Sequence, residues 1–104
     1  VAVEVARENL KQNRVSNFVK VRKGSIGHIR RQFDVVVANI DLRGLRKMRQ
    51  PLLRHLRRKG LLVLSGLLEA EGDRLRQYYI ETGLLRSPRS TREGEWVCLT
   101  FQKK

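Results

Sequence analysis

The side chain best placed for chemistry in this sequence is an asparagine that closes a run of apolar residues. Asn39 follows Val35–Ala38, a short and largely β-branched run that is typical of a strand covered on both faces. Ligands of open α/β sheets bind beyond the carboxyl ends of the strands, so an amide at this point is placed to contact one. The alternative is an asparagine that only turns the chain into the next helix.

Other residue types that often perform chemistry occur without the partners they need. His28 and His55 lie in basic surroundings with no carboxylate paired to them in the sequence, which favours surface histidines over metal ligands. Cys98 is the single cysteine, so the chain can form no internal disulfide. Trp96 and Cys98 alternate along one predicted strand, and we expect both to be buried. The sequence indicates neither a metal site nor a catalytic triad.

Positive charge is the strongest signal in the composition. The chain has 23 Lys and Arg against 10 Asp and Glu, which gives a net charge of +13 with both histidines neutral. Between Leu42 and Leu68 every charged residue is cationic. One interpretation is an RNA contact through Arg43, Arg46, Lys47, Arg54, Arg57 and Arg58. The alternative is a solvated outer helix face, which the lack of interleaved aromatic residues favours.

The length of 104 residues limits the scaffold for these side chains to a single domain. A composition of 40% hydrophobic and 32% charged residues is that of a globular chain. The longest apolar runs, Val35–Ala38 and Leu61–Leu64, are too short to span a bilayer, and the N-terminus has no signal-peptide pattern. We therefore expect a cytoplasmic protein without membrane contact.

The apolar patterning predicts helices that alternate with strands. We expect helices over residues 1–12, 42–59 and 69–82, with a kink or a break at Pro51 and Gly60 at the end of the second helix. We expect strands over residues 18–22, 33–39, 61–65, 84–87 and 95–101, the last two joined by a long loop over 88–94. This order predicts a parallel α/β sheet that closes with an antiparallel hairpin. The first helix has no N-cap residue before it, which indicates a piece of a longer chain.

Four short sequence segments, which occur in the same order as in the family, resemble the class I S-adenosylmethionine-dependent methyltransferases. The resemblance is strongest to the PrmA-type ribosomal protein methyltransferases. The four segments are Ala2-Val3 with Ala6-Arg7-Glu8-Asn9, Phe33-Asp34-Val35-Val36-Val37-Ala38-Asn39-Ile40, Leu62-Val63-Leu64-Ser65-Gly66-Leu67 and Gly94-Glu95-Trp96-Val97. The resemblance covers nearly the whole chain and implies an incomplete Rossmann-like sheet. The first two strands, the Gly-rich loop and the ribose-binding acid of the family would lie upstream of Val1. The chain would then be the C-terminal two thirds of one methyltransferase domain, residues 1–104.

The resemblance also implies an activity, the transfer of methyl groups from S-adenosylmethionine to amines of a ribosomal protein. Asn39 would be the catalytic residue and would contact the cofactor near its reactive end. Gly24, Ser25 and Ile26 would form the loop that touches the adenine, although an ordinary strand-to-helix loop explains them equally well. No metal is implied.

The residues after Asn39 discriminate between acceptors. Methyltransferases that act on nucleobases commonly continue with Pro-Pro and an aromatic residue, which stacks on a flipped base. Here Ile40, Asp41 and Leu42 follow, which favours a protein amine. Asp41 stands where the resembled pattern has an apolar residue, and it either attracts a cationic lysine or caps the next helix.

Three functions remain open at this point. The first is a methyltransferase fragment, inactive by itself, whose affinity for S-adenosylmethionine we expect to be about 1 mM or weaker. The second is a basic RNA-binding or RNA-methylating module on the same fold. The third is a remnant that acts through association, because without the upstream strands the edge at Val35–Val37 would be unpaired and would favour self-association through an exposed sheet edge.

Overall fold

The strands of this chain form one mixed six-stranded sheet in a computed structural model that describes residues 2–6, 18–22 and 31–104. The strands are β1 (Ala2–Ala6), β2 (Phe18–Arg22), β3 (Phe33–Asn39), β4 (Leu56–Leu68), β5 (Arg89–Glu93) and β6 (Trp96–Gln102). The helices of the described residues are α1 (Leu42–Lys47), α2 (Arg49–Arg54) and α3 (Glu69–Ile80). The sheet order is β1-β2-β3-β4-β6-β5.

The centre of the sheet is parallel and its flanks are antiparallel. Strands β2, β3 and β4 pair in parallel, whereas β1 pairs antiparallel with β2, and β6 lies antiparallel between β4 and β5. The predicted parallel sheet with a closing antiparallel hairpin is therefore confirmed. None of the helices within the described ranges has the length and apolar character needed to cross a membrane.

One face of the sheet packs against the helices and forms the core. Alternate residues of three strands are buried there, namely Val36, Ala38, Leu62, Leu64, Val97, Leu99 and Phe101. The ring of Tyr79 in α3 stacks on that of Phe101, with centroids 5.8 Å apart. The Tyr79 hydroxyl donates a hydrogen bond to the carbonyl of Leu45 in α1 at 2.6 Å. Burial raises the pKa of Tyr79 well above its usual value, because ionisation would place a charge inside this core.

The first predicted helix is wrong over the part of it that the structure describes. Residues Ala2–Ala6 form strand β1, in which Ala2 lies opposite Arg22 of β2. Valines at positions 3 and 5 alternate and are β-branched, and this preference for a strand prevails over the four-residue spacing of the alanines. The remainder of that predicted helix lies outside the described residues.

The helix predicted over residues 42–59 is three elements. The helical part breaks at Met48, and Pro51 then lies in the first turn of α2, where its missing N–H leaves no hydrogen bond unmade. The predicted interruption is thus confirmed, three residues before the proline. His55 follows α2 and is buried, contrary to the predicted surface position, and its Nδ1 donates to the Pro51 carbonyl at 2.7 Å.

Residues 56–59 begin strand β4 instead of ending a helix. Lys59 has a positive φ of 65°, which redirects the chain before it pairs with β3 over Leu61–Ser65. Gly60 has no helix-ending role here. A Cβ at Gly60 would lie 2.8 Å from the carbonyl oxygen of Asp34, so glycine is needed for the close approach of the two backbones.

The closing hairpin has a different turn from the predicted one. Residues 89–93, expected to be a loop, form β5, and the expected strand over 84–87 contains only an isolated bridge between Leu85 and Lys103. Glu93 pairs directly with Trp96, so the turn has two residues, of which Gly94 adopts a positive φ of 61°. Glycine supplies this conformation without steric cost, as tight hairpin turns require.

Strand β6 presents the opposite face to the one expected. Trp96 is 52% exposed, and Cys98 is half-buried. The buried positions are Val97, Leu99 and Phe101. Side chains alternate between the two faces of a strand. An error of one residue in assigning the buried positions therefore exchanges the buried and the exposed face completely. The prediction that Trp96 belongs to the core is therefore wrong.

The edge expected at Val35–Val37 is covered. These residues pair with Phe18, Val19 and Lys20 of β2 on one side and with Leu61–Val63 of β4 on the other. Strand β3 therefore has a partner on each side, and the predicted exposed edge for self-association is absent from this part of the described sheet.

Candidate functional site

The candidate site lies at the carboxyl edge, the name used here for the carboxyl ends of β3, β4 and β5 with the segments that directly follow them. Asn39 is the last residue of β3, is exposed, and lies opposite Ser65 in the parallel pairing with β4. This is the position predicted from the apolar run that precedes it. Parallel strands end at the same edge of a sheet, so the pairing brings the two chain segments together.

Gly66 holds the Asn39 side chain in close contact with the backbone. A Cβ at Gly66 would lie 2.7 Å from Oδ1 of Asn39, which is closer than real Cβ atoms approach an oxygen. Gly66 also has a positive φ of 85°, at an irregularity in the pairing of β4 with β6 between Leu64 and Leu67. A side chain at position 66 would therefore be strained and would displace the Asn39 carboxamide.

Sequence reasoning did not select Ser65 or Gly66 as site residues. Both stand in the phrase Leu62–Leu67 that carries the family resemblance, but their contact with Asn39 is made across two strands. A glycine close behind a buried apolar run is the one local signal that could have identified this point, because glycine in a strand often marks an irregularity or a close approach.

Asp41 caps helix α1. Its Oδ1 accepts a hydrogen bond from the backbone N–H of Gly44 at 2.8 Å, so the capping interpretation of this residue is confirmed. The cap fixes the direction in which the chain leaves Asn39, because only Ile40 separates the two residues, and the Ile40 side chain is 9% exposed.

Carboxylates are frequent around the carboxyl edge. Those that end or follow its strands, or lie in its hairpin turn, are Asp41, Glu69, Glu71, Glu93 and Glu95. Glu71 accepts from the backbone N–H of Leu68 at 2.9 Å and so caps α3, and Glu69 pairs with Arg92 at 2.9 Å. An exposed carboxamide with acids nearby is chemically suited to an amine, which is cationic at neutral pH and needs hydrogen-bond acceptors. Within the described ranges, His, Cys, Asp and Glu form no group that could hold a metal ion.

Gly24, Ser25 and Ile26 lie outside the described ranges. The six cations predicted to contact RNA are divided between two places. Arg43, Arg46 and Lys47 lie on α1, and the guanidinium of Arg46 stands 5.1 Å from the centre of the Tyr78 ring. Arg54, Arg57 and Arg58 lie at the opposite end of β4 from Ser65.

Known proteins resemble this chain over its whole length. The family model described as ribosomal protein L11 methyltransferase (PrmA) matches residues 1–104. The ribosomal protein L11 methyltransferase of Geobacter metallireducens is 38% identical over 101 residues, which are 97% of this chain and 33% of that protein. That of Campylobacter lari is 33% identical over 104 residues, which are 100% of this chain and 36% of that protein. The chain thus spans about one third of the length of these relatives.

A solved structure resembles the fold. The ribosomal protein L11 methylase of Lactobacillus delbrueckii subsp. bulgaricus superposes with a TM-score of 0.68 at 24% sequence identity, covering 79% of this chain and 42% of that one. This likeness confirms the predicted fold class, a partial Rossmann-like methyltransferase sheet that ends in an antiparallel hairpin.

Proposed function

This chain belongs to the ribosomal protein L11 methyltransferase (PrmA) family, and on that basis we propose that its carboxyl edge forms part of a site for transferring methyl groups from S-adenosylmethionine to amines of a ribosomal protein. The observation that carries the proposal is the exposed Asn39 carboxamide, which lies over Gly66 at the adjoining ends of two parallel strands. Ligands of open α/β sheets bind at this edge.

Asn39 has the chemistry needed at the reacting centre. Its amide oxygen can accept a hydrogen bond from the acceptor amine while its amide nitrogen donates one to the cofactor. The bound S-adenosylmethionine would supply the methyl group as an electrophile. The contribution of Asn39 is then to orient the amine, because holding two reactants in line provides much of the rate enhancement in a displacement of this kind.

The residues present fit one end of the cofactor. Because Gly66 has no Cβ, the Asn39 carboxamide lies close to the backbone at the strand end, where the reactive end of the cofactor would bind. We assign the adenine-contacting loop to Gly24, Ser25 and Ile26 on the strength of the family resemblance. An enzyme that modifies a ribosomal protein would act in the cytoplasm.

The surroundings of Asn39 favour a protein amine over a nucleobase. The third residue after Asn39, Leu42, is aliphatic and packs against the core, so the position that stacks on a flipped base in nucleobase methyltransferases offers no ring. The carboxylates of the carboxyl edge would attract a cationic lysine or an N-terminal amine. RNA methylation, the second function left open by the sequence, has no comparable support.

Titration of the isotope-labelled 104-residue chain with S-adenosylmethionine, followed by NMR, tests the location of the site. We expect weak binding, about 1 mM or weaker, with the largest shifts at the Asn39 side-chain amide and at the backbone N–H groups of Ile40 and Gly66. Asn39→Ala should remove the shift at Gly66, whereas Gln50→Ala, which truncates an exposed amide on α2, should retain it. Shifts centred on Lys59 or Arg86 instead would contradict the proposal.

The role of Asn39 in turnover can be tested in a chimera that joins this chain to the N-terminal two thirds of the Geobacter metallireducens relative. Asn39→Ala should lower the rate of methyl transfer to a ribosomal protein by about 100-fold, since a misaligned acceptor costs that much. The thermal transition should change little, because the Asn39 side chain is exposed. An unchanged rate would remove Asn39 from the site.

A further inference from the structure

Cations from three separate segments meet at the end of the sheet opposite the candidate site. We call this end the basic edge and define it as Arg54, Arg57, Arg58, Lys59, Arg86, Lys103 and Lys104. Backbone hydrogen bonds connect the segments. The N–H of Lys59 donates to the Lys103 carbonyl at 2.9 Å, and the N–H of Arg86 donates to the Gln102 carbonyl at 2.8 Å. The cations are therefore held on a fixed backbone frame.

The carboxylates that the described residues place near the basic edge are already paired. Asp34 lies 3.4 Å from a guanidinium nitrogen of Arg57, and Glu81 lies 2.9 Å from one of Arg49. The basic edge therefore keeps a large positive excess. Because like charges repel each other, this arrangement favours the binding of an anionic partner.

Three guanidinium groups of the basic edge are available to such a partner. Arg54, Arg58 and Arg86 come from different segments and are all exposed, and within the described residues they form no hydrogen bond or ion pair through their side chains. Lys103 has a different role. Its Nζ donates hydrogen bonds to the carbonyls of Leu53 and Leu56 at 2.9 and 2.7 Å and so provides these carbonyls, at the end of α2, with a donor.

An open groove adjoins these cations. It has a volume of about 460 Å³ and is lined by Arg49, Gln50, Arg54, Thr82 and Leu84, among others. The groove lies between α2 and the segment that follows α3, so it gives a strand of polyanion room beside Arg54. Its lining includes no aromatic ring on which a base could stack.

We propose that the basic edge binds the phosphodiester backbone of RNA without reading its sequence. Arginine predominates among the accessible cations, and its planar fork matches a phosphate group better than an ammonium does. The edge offers an array of positive charge, which suits a polymer of regularly spaced phosphates. The choice of RNA over DNA rests on the proposed function, since a ribosomal protein substrate would be found close to RNA.

Binding of this kind has a measurable signature in its dependence on salt. Each phosphate contact releases a counterion, so removal of one contacting cation lowers the slope of log K against log salt by about 1. The variant with Arg54→Gln, Arg58→Gln and Arg86→Gln should therefore lose about 2 to 3 units of slope and about tenfold or more in affinity for a short RNA duplex. Fluorescence anisotropy between about 50 and 200 mM salt measures both quantities.

A matched control distinguishes RNA binding by the basic edge from a general effect of net charge. The variant with Arg43→Gln, Arg74→Gln and Arg76→Gln removes the same three charges from exposed positions on α1 and α3 and should bind RNA nearly as well as the parent chain. An equal loss of affinity in both variants would overturn the proposal, because it would show a response to net charge only. Failure of the parent chain to bind RNA at about 50 mM salt would overturn it as well.

The same titration with a DNA duplex of equal length tests the choice of RNA. RNA should bind at least as tightly as DNA, and a clear preference for DNA would overturn the assignment to RNA. None of these measurements involves methyl transfer or S-adenosylmethionine, so failure of the RNA proposal and failure of the proposed function are distinguishable.

Discussion

The two edges of one sheet differ in charge and in the way the chain builds them. At the carboxyl edge, Asn39 and Gly66 stand at or near the ends of neighbouring strands, and acids flank them. At the basic edge, cations come from three segments that are connected by backbone hydrogen bonds and by the Lys103 side chain. On the two proposals above, a cationic amine would approach one edge without repulsion, and a polyanion at the other edge would not compete for the same surface.

Strand β6 runs between the two edges and offers the largest expected effect. Phe101, near the basic edge, is fully buried and stacks on Tyr79, whereas Trp96, at the carboxyl edge, is 52% exposed. We expect Phe101→Ala to lower the free energy of unfolding by about 3 to 5 kcal/mol and Trp96→Ala to lower it by less than about 1 kcal/mol. Urea denaturation of both variants measures the difference. Equal losses would mean that the two faces of β6 are assigned incorrectly.

Two glycines with similar backbone conformations provide the next comparison. Gly66 has a φ of 85° and Gly83 has a φ of 75°, but only at Gly66 would a Cβ meet an atom of the described residues within 4 Å. Gly83→Ala should cost about 1 kcal/mol from the left-handed conformation alone, and Gly66→Ala should cost about 2 kcal/mol or more. NMR should also show that the Asn39 side-chain amide moves in Gly66→Ala and stays in place in Gly83→Ala. Indistinguishable spectra would argue against the contact between Gly66 and Asn39.

The third comparison concerns Tyr79, in the core between the edges. Tyr79→Phe removes the hydrogen bond to the Leu45 carbonyl and should cost about 1 to 1.5 kcal/mol at neutral pH. Because the folded state raises the pKa of Tyr79, its proton is lost more readily from the unfolded chain. The stability linked to this proton is complete below the unfolded pKa of about 10 and falls as the pH rises beyond it.

Comparison of the two proteins at alkaline pH isolates this contribution, because every other group titrates in both. The parent chain should lose stability above about pH 10 more steeply than Tyr79→Phe does. Parallel stability profiles would show that the Tyr79 hydroxyl is less buried than its position in the core indicates.

The parts of the fold that the sequence predicted are those where local pattern and tertiary environment agree. Strand β3 and helix α3 carry apolar spacings that match their surroundings, and Asn39 was placed correctly because its position depends only on where β3 ends. The leucines of residues 42–56 keep a helical period through α1 and α2. The chain nevertheless enters β4 at Leu56, since pairing with β3 and β6 outweighs the local helical pattern.

The contacts that define each edge could not be predicted from local sequence patterns, because they join residues that are far apart along the chain. Gly66 meets Asn39 across the parallel pair, and Lys59 bonds to Lys103 and Arg86 to Gln102 between segments far apart in the sequence. A pattern of neighbours along the chain contains no information on such pairs. The eight cations between Leu42 and Leu68 were thus recognised as a group, but the fold assigns them to two different surfaces.

The two-residue turn at Gly94 and Glu95 also influences the order in which parts of the chain fold. Strands β5 and β6 need only this short loop to close, and hairpins of that kind form in about 1 to 10 μs. The parallel pair of β3 and β4 must first enclose α1 and α2, and closing a longer loop costs more chain entropy. We therefore expect the hairpin that carries Glu93 and Glu95 to be present early in folding, and the basic edge, which requires residues 54–59, 84–86 and 103–104 to meet, to be completed among the last parts of the molecule.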